Sequence, residues 1–208
     1  MNPYDSCVVN KIINGKQCTI VWHVDDLKIS HVDEAVVNDV ISTLESKYGK
    51  MSMTIGNTHK NVGMNLKYNT NGTVTIDMTD YVKESIAEFP ESIETDAVTP
   101  AAANLFEVRE DIVRLPEEKA SIFHRIVAKL LFVCKRGRPD IQVPIAFLST
   151  RATKSDEDDW RKLRRLMRYL KSTQDLVLTL KADDLTVIKW WVDASYAVLI
   201  CGVILEPP

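Results

Sequence analysis

The chain has 208 residues, 45% hydrophobic and 26% charged, with a formal net charge of −3. Those values belong to a folded globular chain with room for one or two cores, and they exclude a disordered one. No apolar run approaches the roughly 18 residues of a membrane span. The start, Met1-Asn2-Pro3-Tyr4-Asp5, lacks the basic and apolar regions of a signal peptide, and four scattered cysteines without zinc spacing read as reduced thiols. An intracellular protein, cytoplasmic or nuclear and not secreted, is expected.

In chain order, Cys7 to Ile13 is β-prone, Asn14-Gly15 is a strong hairpin signal, and Gln17 to Val24 returns. Asp25-Asp26 makes a second reversal and Leu27 to His31 leaves it, which predicts an antiparallel meander. Asp33 is placed as an N-cap, and Val36, Val37, Val40, Ile41, Leu44 and Tyr48 follow at helical spacing up to Gly49. Met51 to Ile55 reads as a weak strand. Val62 to Tyr68 and Thr73 to Met78 flank Asn71-Gly72 as another hairpin, and Thr79 is expected to cap a short helix ending at Pro90. Glu91 to Ala103 reads as a connector. Helices then dominate: Glu117 to Lys135, Pro139 to Arg151, and Ser155 to Ser172, the last with a capping box of Ser155 and Asp158. Leu176 to Leu180 and Thr186 to Val192 are expected as a closing pair of strands. The fold class is therefore α+β, an antiparallel sheet with packed helices followed by a mainly helical region and a terminal β-hairpin.

Charge is segregated along this order. Residues 76–120 hold 12 Asp and Glu against 4 Lys and Arg, a balance of −8. Residues 121–172 hold 13 Lys and Arg against 5 Asp and Glu, a balance of +8. A basic half invites a polyanion, whereas the acidic half is either a solvated surface or a partner for the basic one.

Two adjacent carboxylates at a hairpin tip repel each other, and Asp is depleted in strands. Asp25 and Asp26 therefore read either as a divalent-metal site, with Mg2+ (or Mn2+) as the expected ion, or as a solvated turn. Adjacent strand residues point to opposite faces, so a metal reading needs a third carboxylate from elsewhere.

Several segments carry a resemblance. His23-Val24-Asp25-Asp26 is similar to the Tyr-x-Asp-Asp motif in the palm of reverse transcriptases. Further segments resemble, in order, the copia-type branch of long-terminal-repeat retrotransposons. These are Asn61-Val62-Gly63-Met64-Asn65-Leu66, Val74 to Val82, Val98-Thr99-Pro100, Phe123 to Phe132, Arg138-Pro139-Asp140-Ile141, Leu166 to Thr173, and Trp191 to Ala197. The resemblance implies three regions: residues 1–97 as part of a palm, 98–174 as a helical thumb and connection, and 175–208 as the start of a ribonuclease H-like domain. It implies an RNA-directed DNA polymerase that transfers nucleotides to a primer 3′-hydroxyl by two-metal catalysis, with an RNA or DNA template-primer and a deoxynucleoside triphosphate as partners. Asp25 and Asp26 would be catalytic and metal-binding, Asp193 would be the first ribonuclease H carboxylate, and His23, Gly63 and Met64 would lie near the primer.

The departures bear on activity. His23 stands where the family has Tyr, and Ala128 replaces a Gly. The fingers and first palm strand, which supply another metal-binding Asp in the family, are expected to have no counterpart in this chain, and Asp193 is expected to lack its later acidic companions. Both active sites are expected to be incomplete, and the chain is expected to need the missing upstream polymerase segment. The alternative is a non-catalytic nucleic-acid-binding remnant or a domesticated interaction module.

Within the last long helix, Trp160, Leu163, Met167 and Leu170 form a core face. Arg161, Lys162, Arg164, Arg165, Arg168 and Lys171 occupy the rest and read either as a solvated face or as a surface that tracks nucleic-acid phosphates. His23, His31, His59 and His124 share no ligand spacing, and Trp190-Trp191 reads as strand packing.

Overall fold

The computed structural model describes residues 2–109 and 111–182. Asp193, Trp190-Trp191, the strand expected over Thr186 to Val192 and most of the ribonuclease H-like segment lie outside them. The fold is α+β, with two antiparallel sheets and five α-helices among the described residues. It divides into two compact units, residues 1–66 and 67–208.

In the first unit, β1 (Val8–Ile13), β2 (Lys16–His23) and β3 (Asp26–Ser30) form the expected meander in the order β1-β2-β3. Asn14 and Gly15 turn the chain with φ of 51° and 72°, so Ile13 faces Lys16. Asn tolerates that left-handed region and Gly has no Cβ to clash, which is why this dipeptide sets the register. Helix α1 (Glu34–Tyr48) starts where Asp33 accepts a hydrogen bond from the Ala35 N–H at 2.9 Å, and it stops at Gly49, φ 88°.

The strand expected over Met51 to Ile55 does not form. Instead β4 (Thr58–Asn61) and β5 (Met64–Tyr68) flank Val62-Gly63, whose φ values of 46° and 73° make a tight two-residue turn. A β-branched residue disfavours that conformation, so Val62 gives no turn signal in the sequence.

In the second unit, β6 (Thr73–Asp77) pairs antiparallel with β7 (Leu178–Lys181), Thr75 facing Thr179. The Asn69 side chain donates to the hydroxyls of Thr73 and Thr75 at 2.9 and 3.0 Å and ties the turn before β6. Helix α2 (Thr79–Ala87) is capped one step earlier than expected: Thr79 is its first residue, and its N–H donates to Asp77 Oδ1 at 2.8 Å. Met78 takes the N-cap position without a side-chain cap bond, so the Asp77 carboxylate serves a first-turn N–H in its place.

Three long segments build the core: α3 (Glu117–Cys134), α4 (Gln142–Thr150) after a 3-10 turn at Pro139–Ile141, and α5 (Glu157–Ser172). Phe123, Ile126, Leu130 and Val133 of α3, Ile145 and Leu148 of α4, and Trp160, Leu163, Met167 and Leu170 of α5 are fully buried, as is Leu166. Each such side chain stabilises the unit by about 1.5–3 kcal/mol relative to leaving it exposed, before entropy is counted. The Trp160 ring stacks on Phe89, with centroids 5.2 Å apart, and its Nε1–H donates to Glu91 at 2.6 Å. The capping box of α5 is Asp156 with Asp159, one residue beyond the expected Ser155 and Asp158. Asp156 also reaches Arg151, and that second attraction selects it over the serine. No helix among the described residues is long and apolar enough to cross a membrane.

Candidate functional site at the acidic hairpin and the basic helix

The β2–β3 turn consists of Val24 and Asp25, because His23 faces Asp26 in the register. Val24 has φ 53° and is 84% exposed. For a β-branched side chain this is an outlier costing on the order of 1–3 kcal/mol. The strained residue thus lies immediately before the acidic pair. Asp25 occupies the tip and Asp26 opens β3, and both are exposed. The turn brings His23, Asp25 and Asp26 together, and as a directly opposed pair His23 and Asp26 share one sheet face. Gly63 lies on the other hairpin turn of this unit, and Met64 begins β5. Asp193 lies outside the described residues.

Mg2+ takes near-octahedral oxygen coordination. Among the described residues no group of three or more His, Cys, Asp or Glu side chains is arranged to hold a metal ion. Asp25 and Asp26 have no third such side chain grouped with them among the described residues, so the pair alone would supply at most part of a coordination shell.

The segregated charge is partly resolved by pairing. Lys129 on α3 donates to Glu84 of α2 at 3.1 Å and to Glu88, and Arg125 lies 3.7 Å from Glu88. The Glu88 hydrogen bond raises the Lys129 pKa despite the opposing effect of burial, and Glu84 adds to the rise. The acidic connector also meets the basic helix. Arg164 lies 2.7 Å from Glu91, Lys171 Nζ donates to the Ile93 carbonyl at 2.5 Å, and Ser172 Oγ to the Ala97 carbonyl at 3.3 Å. Arg165 donates to Thr99 Oγ1 at 2.9 Å, and Lys162 to the Glu107 carbonyl at 2.6 Å. Ile93, Ala97 and Leu105 anchor the strap between these contacts as buried apolar residues. The six cations of α5 are therefore not a uniform solvated face. Arg161 and Lys171 are exposed, whereas Lys162, Arg164, Arg165 and Arg168 are half-buried.

Sequence reading missed two polar networks. Arg138, only 2% exposed, donates through Nε and Nη2 to Asp140 at 2.9 and 2.8 Å and reaches the Thr173 carbonyl at 3.0 Å and its hydroxyl at 2.8 Å. Tyr169 donates to the same Asp140 at 2.8 Å. Burial would push the Asp140 carboxyl up, but the Arg138 and Tyr169 hydrogen bonds and the Arg138 charge outweigh it and hold the pKa below the usual value. Burial raises the Tyr169 phenol, and Asp140 raises it further. In the second network, buried Arg151 pairs with Asp156 and Asp159, each at 3.0 Å. Burial raises the Asp159 pKa and the Asp156 charge adds to the rise, against the Arg151 hydrogen bond and charge that lower it. The available signal was the pairing of Arg138-Pro139-Asp140 with Tyr169 and Thr173, which mark the beginning and end of one helical layer.

No family model matches this chain. Over 182 residues it is 25% identical to a protein of Saccharomyces cerevisiae, "Putative transposon Ty5-1 protein", a match covering 86% of this chain. The chain spans 57% of the length of that curated relative. No solved structure matches.

Proposed function

We propose that this chain is part of a copia-type reverse transcriptase, carrying the acidic palm hairpin and the helical region that follows it. The observation that supports this most is the position of Asp25 and Asp26, adjacent carboxylates at an exposed hairpin tip whose turn holds Val24 in a disfavoured conformation. Similarity to a transposon protein over most of the chain agrees with it. In that reading the rigid two-residue turn presents Asp25 at the tip, and the register puts His23 beside Asp26. A divalent metal would supply charge stabilisation for nucleotidyl transfer. With these two carboxylates ungrouped with a third among the described residues, the chain's own role is to present part of the metal's ligands, and the isolated chain does not extend a primer.

The test is Mn2+ addition to the 15N-labelled chain, read as paramagnetic broadening of backbone amides. Broadening centred on Val24, Asp25 and Asp26 that disappears in Asp25→Asn is expected. Equal broadening at every exposed aspartate, including Asp5 and Asp33, would refute the metal reading and leave a plain turn. Primer extension by the isolated chain that depends on Asp25 would refute the inactive half.

A further inference from the structure

The cations of α5 differ in what holds them. Arg164 faces the Glu91 carboxylate, which compensates its charge. Three others, Arg161, Lys162 and Arg165, line one cleft of about 260 Å3 between α5 and residues 101–105, with Asn104 and the small side chains of Ala101 and Ala102 on the opposite wall. That space is several times the roughly 30 Å3 a water molecule occupies.

A single carboxylate, Asp158, lies among these three cations. It takes Arg161 and Lys162 together, each at 2.9 Å. The remaining partners are neutral: the Glu107 carbonyl for Lys162 and the Thr99 hydroxyl for Arg165. Neutral acceptors satisfy N–H groups and fix the side chains without cancelling charge. The cleft therefore keeps a surplus of two positive charges. The Arg165 guanidinium is held at the cleft through Nη2 by the Thr99 hydroxyl, a neutral acceptor that leaves its charge uncancelled. A positioned guanidinium that keeps its charge takes an anionic oxygen as its strongest acceptor.

We propose that this cleft binds a phosphate group, with Arg165 as the central donor, Arg161 as the exposed flank, and Lys162 and Asn104 completing the wall. The chemistry is shared by a nucleotide phosphomonoester and a nucleic-acid phosphodiester. The site does not depend on the polymerase reading. It also narrows the basic face from six cations to the three that line the cleft. Pre-set donors lose little freedom on binding, which favours a defined site over diffuse attraction.

The experiment titrates inorganic phosphate into the 15N-labelled full chain at constant ionic strength, with chloride as the balancing anion. The backbone amides of Arg161 and Arg165 and the Asn104 side-chain amide report occupancy. Saturating shifts are expected, weakened at least tenfold in Arg165→Gln and changed less than twofold in Arg164→Gln. Should Arg165→Gln lose its amide dispersion, Arg161→Gln serves instead, because that side chain is 58% exposed, and a several-fold weakening is expected. Shifts that rise linearly and are matched by chloride overturn the proposal, as does saturable binding that neither variant alters. In parallel titrations, tighter binding of a 5′-mononucleotide supports a monoester ligand, and tighter binding of a dinucleotide without a terminal phosphate supports a diester.

Discussion

Replacing Asp140 by Asn tests whether the Arg138 network holds the second unit together. The substitution keeps the shape but removes the charge opposite a guanidinium that is 2% exposed. Breaking a fully buried pair costs about 3–5 kcal/mol, because the remaining charge is left uncompensated. The Asp140 side chain is 32% exposed, so water screens part of that loss. The Thr173 carbonyl and hydroxyl also keep two of the guanidinium bonds. A loss of about 2 kcal/mol is expected, or about 4–8 °C in Tm for a chain of this size. Urea denaturation followed by tryptophan fluorescence measures it. The pH dependence adds a sharper criterion. The Asp140 pKa is lowered in the fold, so its stabilisation is present above the unfolded value of 3.8 and is lost as pH falls through the folded value. The gap between wild type and Asp140→Asn should be full at pH 6 and should close below pH 3.8. A gap below about 0.5 kcal/mol at pH 6, within ordinary surface-substitution effects, refutes the reasoning. So does a gap that persists unchanged in acid.

Three further outcomes follow from other residues. Val24→Gly relieves the positive-φ strain at the acidic turn and should stabilise the β2–β3 hairpin by about 1 kcal/mol, read as slower amide exchange in those strands; faster exchange contradicts the strain assignment. Trp160→Ala removes a fully buried ring stacked on Phe89 and should cost about 3–5 kcal/mol, while Trp160→Phe, which loses mainly the Glu91 bond, should cost about 1–2 kcal/mol. Asp159 has a raised pKa, so its contribution is greatest below 3.8 and is lost as pH rises through its folded value. Asp159→Asn should therefore remove a stability loss that wild type shows as pH rises above 3.8, measured as Tm against pH.

Much of this architecture was legible because local chemistry and burial agree. Asn14-Gly15, Asp33 and Gly49 act where their residue types predict, and the apolar spacing of Trp160, Leu163, Met167 and Leu170 is the buried face of α5. The misplaced features share one cause, which is a competitor invisible to local pattern. Arg151 pairs with Asp156, which caps α5 in place of Ser155, and the Asp77 carboxylate takes the first N–H of α2, so that Thr79 starts the helix instead of capping it. Val62 turns the chain against its own preference and shifts the strand from 51–55 to Thr58–Asn61. At the acidic hairpin the reversal expected at Asp25-Asp26 falls one residue earlier, on Val24-Asp25, with Asp26 opening β3, because the β-prone Val24 gives no turn signal. The engagement of the basic helix by residues 91–107 was foreshadowed only as opposite charge balances, since backbone carbonyls as partners leave no mark on composition.

The pairing of β6 with β7 has a consequence for how the second unit assembles. Thr75 and Thr179 are over a hundred residues apart, with all of α2 to α5 between them. Closing so long a loop before its contacts form is entropically unfavourable, so the helices should condense first and the strand pair should zip last. During synthesis β6 emerges well before its partner and waits as an open edge, the element through which two nascent chains would adhere. β7 then acts as the clasp that ends that exposure.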